Sequence, residues 1–136
     1  MSTLKSTNSM PAGTQDRIAT GLMLLSAFAA VYSFVTGISA ALAADSTTQQ
    51  VEWWRVLGFA MFAGFFVLLA FWPRRYPGLW ELVIVDKAAL TVVELLLIQN
   101  NAANASAAAV ADGILTVILI AAYLLSKGYT SWRTRR

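Results

Sequence analysis

Four long apolar runs, separated by short polar breaks, dominate the chain. Residues 18–42 contain no charged side chain, and polar residues return over 45–52. Further apolar runs cover about 53–72, 79–98 and 105–125. Each is close to the roughly 20 residues that a helix needs to cross a hydrocarbon core. The later breaks are Pro73-Arg74-Arg75 and Asn100-Asn101. Proline lacks the N–H a helix interior requires, and asparagine favours turns. The pattern predicts an all-α protein, a four-helix up-down-up-down transmembrane bundle, because short connections make successive helices antiparallel neighbours. The polar stretch 1–16 reads as a flexible cytoplasmic tail and residues 127–136 as a basic cytoplasmic tail.

Basic residues set an expected orientation. Lys5 and Arg17 precede the first run, Arg74 and Arg75 lie between the second and third, and Lys127, Arg133, Arg135 and Arg136 follow the fourth. The two opposite connections hold no Lys or Arg, although Arg55 sits just inside the second run. The positive-inside bias therefore places both termini in the cytoplasm. Aromatic residues agree: Trp53 and Trp54 mark the outer interface, and Trp72, Trp80 and Trp132 the inner one. The run ending in Ala41-Leu42-Ala43 resembles a signal-peptide cleavage site, but it is long for that role and Asp16 spoils the basic flank.

Composition narrows the chemistry. At 58% hydrophobic and 12% charged, the chain is far more apolar than soluble domains, which carry about 25% charged residues. Membrane lipid is its expected partner. The net charge of +3 is small and most basic residues cluster in short segments between the apolar runs, so no nucleic-acid partner is expected. The absence of Cys and His excludes thiolate nucleophiles, Ser-His-Asp triads, iron–sulfur clusters and His-ligated zinc or haem. Neither a metal nor a cofactor is expected, and acid–base work falls to Asp, Glu, Lys or Tyr.

The informative residues are charges inside apolar runs: Glu81, Asp86, Lys87, Glu94 and Asp112. A charge at the centre of a membrane helix costs about 2.5–3.5 kcal/mol on insertion scales, so such groups need partners or water. Glu81 lies near the end of its run and is expected to be solvated. Lys87, Thr91 and Glu94 share one helical face, as do Asp112 and Thr116, and Tyr32, Thr36 and Ser39 repeat the spacing on the first run. Glu94 and Asp112 flank the Asn100-Asn101 turn at comparable depth, with Arg55 and the first-run hydroxyls at a similar level. If these faces converge, the bundle encloses a polar pocket open toward the outer side. Glu94 and Asp112 are then the candidate catalytic pair. Arg55, Lys87, Thr91, Tyr32, Thr36, Ser39 and Thr116 are the candidate substrate-binding residues. The plain alternative is ion pairing that fixes helix register, with Arg55 meeting Glu94 or Asp112, Asp86 meeting Arg74 or Arg75, and Lys87 meeting a carboxylate across the bundle. Small residues, Gly58, Ala60 and Gly64 on the second run and Ala107, Ala108 and Ala111 on the fourth, read as sites of close packing, and the Ala60/Gly64 pair leaves a homodimer open.

Three functions suit this equipment. A carboxylic acid in a low-dielectric pocket can keep its proton and act as a general acid, while a second carboxylate held ionised by Arg55 acts as base. That pairing fits isomerase- or cyclase-type chemistry on a lipophilic small molecule. Proton-coupled transport is the alternative, although the first run lacks the Glu found there in small multidrug resistance proteins. A non-catalytic subunit of a membrane complex is the third.

The stretch WRVLGFAMFAGFFVLLAFWPRRYPGLWELVIVDKAALTVVELL, followed by VADGILTVILIAAYLL, resembles the DoxX-like small four-helix membrane proteins. The similarity lies in Arg55 with the Val-Leu-Gly after it, the linker from Pro73 to Pro77, Lys87 and Asp112-Gly113. It covers about two thirds of the chain, in motifs of low specificity. The resemblance implies the bundle fold and a lipophilic partner, since DoxX is associated with quinone-linked oxidoreductase complexes. It implies no particular reaction.

Overall fold

The computed structural model describes residues 13–135. Most of the expected N-terminal tail, residues 1–12, lies outside the described residues. Among the described residues every regular element is helical: α1 Thr14–Ala43, α2 Gln49–Phe71, α3 Leu79–Gln99, α4 Ala105–Leu125, and a C-terminal 3-10 segment, Gly128–Arg135. Helices α1 and α2 begin four residues ahead of the apolar runs that predict them. Polar residues such as Thr14, Gln15 and Asp16 extend α1 because hydropathy marks what a helix faces, whereas backbone bonding decides where it starts. Before α2, the Asp45 carboxylate accepts the backbone N–H groups of Thr47 and Thr48 and builds the turn from which the helix grows. The Thr47 hydroxyl, which donates to the same carboxylate, and those backbone bonds hold the Asp45 carboxyl below its ordinary value.

Three helices, α1, α2 and α4, are long and apolar enough to cross a membrane. Helix α3 equals α4 at 21 residues, but Glu81, Asp86, Lys87 and Glu94 set its composition apart. Helix α1 packs along α2, α3 packs along α4, and α1 joins the two pairs by touching α4, whereas α2 and α3 barely meet.

The tight core lies toward the Pro73 end, where Met23, Phe66, Leu69, Trp80 and Leu119 are each at most 2% exposed. The Thr20 hydroxyl donates to the Ala70 carbonyl at 3.1 Å and fastens α1 to α2. Farther along, the same two helices are in close contact at Gly37, where a Cβ would stand 2.9 Å from Val56 Cγ2. The expected packing glycines behave differently. Nothing lies within 4 Å of where a Cβ would sit on Gly58 or Gly64, and Ala60 and Gly64 are exposed.

Polar bonds finish the Pro73 end. The Arg74 guanidinium donates to the Asp16 carboxylate at 2.8 Å and to the Ser126 carbonyl at 2.6 Å, joining the start of α1 to the end of α4. Glu81 accepts from the Tyr123 hydroxyl at 2.9 Å and from Trp132 Nε1 at 3.0 Å, so it is a fastener where solvation was expected. Trp80, expected in the interfacial belt, is buried instead and donates Nε1–H to the Pro73 carbonyl at 2.7 Å. The 3-10 segment folds over it: a Cβ on Gly128 would collide with the indole. This explains an oddity at the end of α4. The left-handed residue there is Lys127, at φ 54°, because glycine is spent one position later on close approach to Trp80.

Candidate functional site

Away from that core the helices enclose space. A cavity of about 870 Å³ is lined by residues of all four long helices. Its walls include Leu25, Ala29, Phe59, Phe62, Leu115 and Ile118, and its charged lining is Arg55, Asp86, Lys87, Glu94 and Asp112. The space exists because the facing side chains are small. Ser26, Ala29, Ala30 and Ser33 on α1, Gly58 on α2, and Ala107, Ala108 and Ala111 on α4 all line it. The small residues of α2 and α4 therefore make room here, where close packing was expected.

Helix geometry brings part of the expected site together. Lys87 is buried on α3, with Nζ 3.3 Å from Asp112 Oδ1 on α4, 3.8 Å from Asp86 Oδ2, and 4.0 Å from the centre of the Phe62 ring on α2. Burial alone would disfavour the ammonium; two carboxylates and an aromatic face compensate it. Glu94, almost two turns beyond Lys87, lies beside the Asp112 carboxyl. Its Oε2 is buried and has no hydrogen-bond partner. The hydroxyls of Thr91 and Thr116 occupy the same α3–α4 seam but donate to their own helices, to the carbonyls of Lys87 at 2.8 Å and Asp112 at 2.7 Å. Such back-bonding satisfies the hydroxyl locally.

Other expected members stand apart. Tyr32, Thr36 and Ser39 are exposed and do not line the cavity. Thr36 donates to the Tyr32 carbonyl and Ser39 to the Thr36 carbonyl, each at 2.9 Å. Helix α1 turns a different face inward, on which Ser26, Ala29, Ala30 and Ser33 repeat small residues at i, i+3, i+4 and i+7. Arg55 lines the cavity, yet its ion pair is with Glu52 one turn earlier on α2. Asp86 pairs with its neighbour Lys87, while Arg74 pairs with Asp16.

Chemically, the site is an apolar chamber with a carboxylate–ammonium cluster on its α3–α4 wall. Proton exchange and recognition of one polar group on an otherwise apolar molecule are both within its means. Set against known proteins, the chain matches no family model, no curated protein and no solved structure.

Proposed function

We propose that this chain is a multi-pass membrane protein whose intramembrane cavity binds a lipophilic small molecule, with Glu94 and Asp112 supplying acid–base chemistry to it. The observation that carries the reading is the cavity itself: about 870 Å³, walled by apolar side chains and holding a charged cluster. Apolar side chains from all four helices and a charged cluster share this one space, the lining that a lipophile with a single polar group would match. In this reading α3 crosses with the other three helices as an up-down-up-down bundle. Its buried Lys87 is tolerated because Asp112 of α4 and the neighbouring, exposed Asp86 compensate it. Both termini lie in the cytoplasm, as the basic connections favour. The flank between α2 and α3, which barely touch, is the route from lipid. The DoxX-like resemblance supports the same choice of a lipophilic partner.

Proton-coupled transport is the second reading, favoured by the adjacency of Glu94 and Asp112 on neighbouring helices. The deciding experiment is mass spectrometry of small molecules co-purifying with wild type and with the Glu94→Gln/Asp112→Asn double variant, both verified as folded. A specific lipophile retained by wild type alone is the expected result. The same nonspecific lipid in both would overturn the reading. Movement of the retained molecule across proteoliposomes in response to a pH gradient would select transport over catalysis.

A further inference from the structure

The charge balance of the cavity narrows its ligand. Three carboxylates line it, Asp86, Glu94 and Asp112, against two basic groups, Lys87 and Arg55. Arg55 is committed to Glu52, which lies outside the lining. Lys87 is committed as well, between Asp112, Asp86 and the Phe62 ring. One ammonium thus serves three acids, and the acid left over is Glu94, whose buried Oε2 accepts no hydrogen bond. A buried acceptor without a donor is costly, and a ligand that supplies the donor recovers that cost. Among the described residues that line the chamber the basic ones are Arg55 and Lys87, each already paired with a carboxylate, so an acid would have to compete for them, and a neutral acceptor is left with Ser33 and Asn104 as donors. Apart from Ser26, Ser33 and Asn104, the remaining lining is aliphatic, aromatic or glycine, and Phe62 already holds one cation over its face.

We propose that the cavity selects a lipophilic amine, a molecule with an apolar body and one positively charged nitrogen, whose N–H donates to Glu94 while the body fills the chamber lined by Leu25, Phe59, Leu115 and Ile118. This rests on the reading of the cavity as a lipophile site and adds the chemistry of the head group.

The test uses the full chain in lipid nanodiscs and native mass spectrometry of adducts with three probes of one skeleton: decylamine, decanol and decanoic acid. At neutral pH wild type should take up one decylamine at least about tenfold more tightly than decanol, the scale of one charge-assisted hydrogen bond, with decanoate weakest. Glu94→Gln should erase the difference between amine and alcohol. Ala108→Leu, which fills the α4 wall, should weaken all three. Equal binding of amine and alcohol by wild type would overturn the amine assignment and leave the lipophile site standing. So would an amine preference that survives in Glu94→Gln. Failure of any probe to saturate wild type at one per chain would overturn both. The wild-type series needs no variant to fold, so the assignment can fail on it alone.

Discussion

The two ends of this helical assembly are built from the same four helices and solve opposite problems. Toward Pro73 the facing positions hold Met23, Phe66, Leu69, Trp80 and Leu119, and the space between helices is full. Toward the cavity they hold Ser26, Ala29, Ala30, Gly58, Ala107, Ala108 and Ala111, and the space is empty. Polar groups follow the same division. Near Pro73 they are bonds that close the structure: Arg74 to Asp16 and Ser126, Glu81 to Tyr123 and Trp132, Trp80 to Pro73. In the cavity they form a compensated cluster around Lys87, and each end keeps one carboxylate oxygen buried without a hydrogen bond, Glu81 Oε2 near Pro73 and Glu94 Oε2 in the cavity. Side-chain volume, more than helix placement, decides which part of the assembly is scaffold and which is site.

The largest test of this division compares aromatic truncations. Trp80→Ala should destabilise the protein by about 3–5 kcal/mol, the range for deleting a buried aromatic. Phe62→Ala, on a wall that already borders empty space, should cost no more than about 2 kcal/mol by the same reasoning. Reversible denaturation in detergent reads both. Equal losses would mean that the cavity end is as tightly filled as the core.

Charge deletions come next. Lys87→Met leaves Asp112 and Asp86 without their cation and should cost about 3 kcal/mol, with Asp112→Leu in the same chain restoring much of it. Arg55→Met removes an exposed pair and should stay within about 0.5 kcal/mol. A Lys87 variant as stable as wild type would show that the cluster is hydrated rather than held by direct pairing.

Glycines sharpen the contrast at lower cost. Gly128→Ala drives a Cβ into the Trp80 indole and should lose about 1–3 kcal/mol by overpacking. Gly58→Ala meets nothing within 4 Å and should gain about 0.5 kcal/mol through helix propensity while narrowing the cavity. Thermal unfolding of the two variants side by side checks the sign of each.

The smallest effect is expected at Asp45, in the α1–α2 connection, where bonds from Thr47 and Thr48 lower the carboxyl below its ordinary value of 3.8. A depressed folded-state value stabilises the protein above the unfolded value and loses that contribution as pH falls through the folded one. Wild type should therefore be the more stable of the pair with Asp45→Ala at neutral pH, and the gap should close below about pH 4. A constant gap down to pH 2 would assign the stabilisation to something other than the ionised carboxylate.

Much of the helical framework was legible along the chain. Apolar runs of about 20 residues, a Pro-Arg-Arg break and an Asn-Asn break leave few alternatives to four long helices, and the left-handed φ of Asn101 at 56° shows how that second break is made. The anomalous charges were legible too, because a lysine among leucines stands out at any rotation. Rotation itself was not. Tyr32, Thr36 and Ser39 share a helical face as the spacing requires, yet that face is exposed, and the small-residue face of Ser26 and Ser33 turns inward in its place. Hydroxyls gave no guide because each can satisfy itself on the carbonyl a turn earlier.

The sequence by itself determined that the described residues form helices, three of them apolar and of membrane-crossing length, and that without Cys and His any acid–base chemistry must fall to Asp, Glu, Lys or Tyr. Local backbone bonding and transfer free energy act within a segment, so they can be read from one. Only the tertiary structure decided that Lys87 meets Asp112, that Arg55 turns back to Glu52, and that Trp80 is buried beneath Gly128. It likewise decided that a stripe of alanines and a glycine encloses a chamber in place of a tight seam. Those outcomes depend on how helices rotate and where they part, which is fixed by the fit of side chains from different segments.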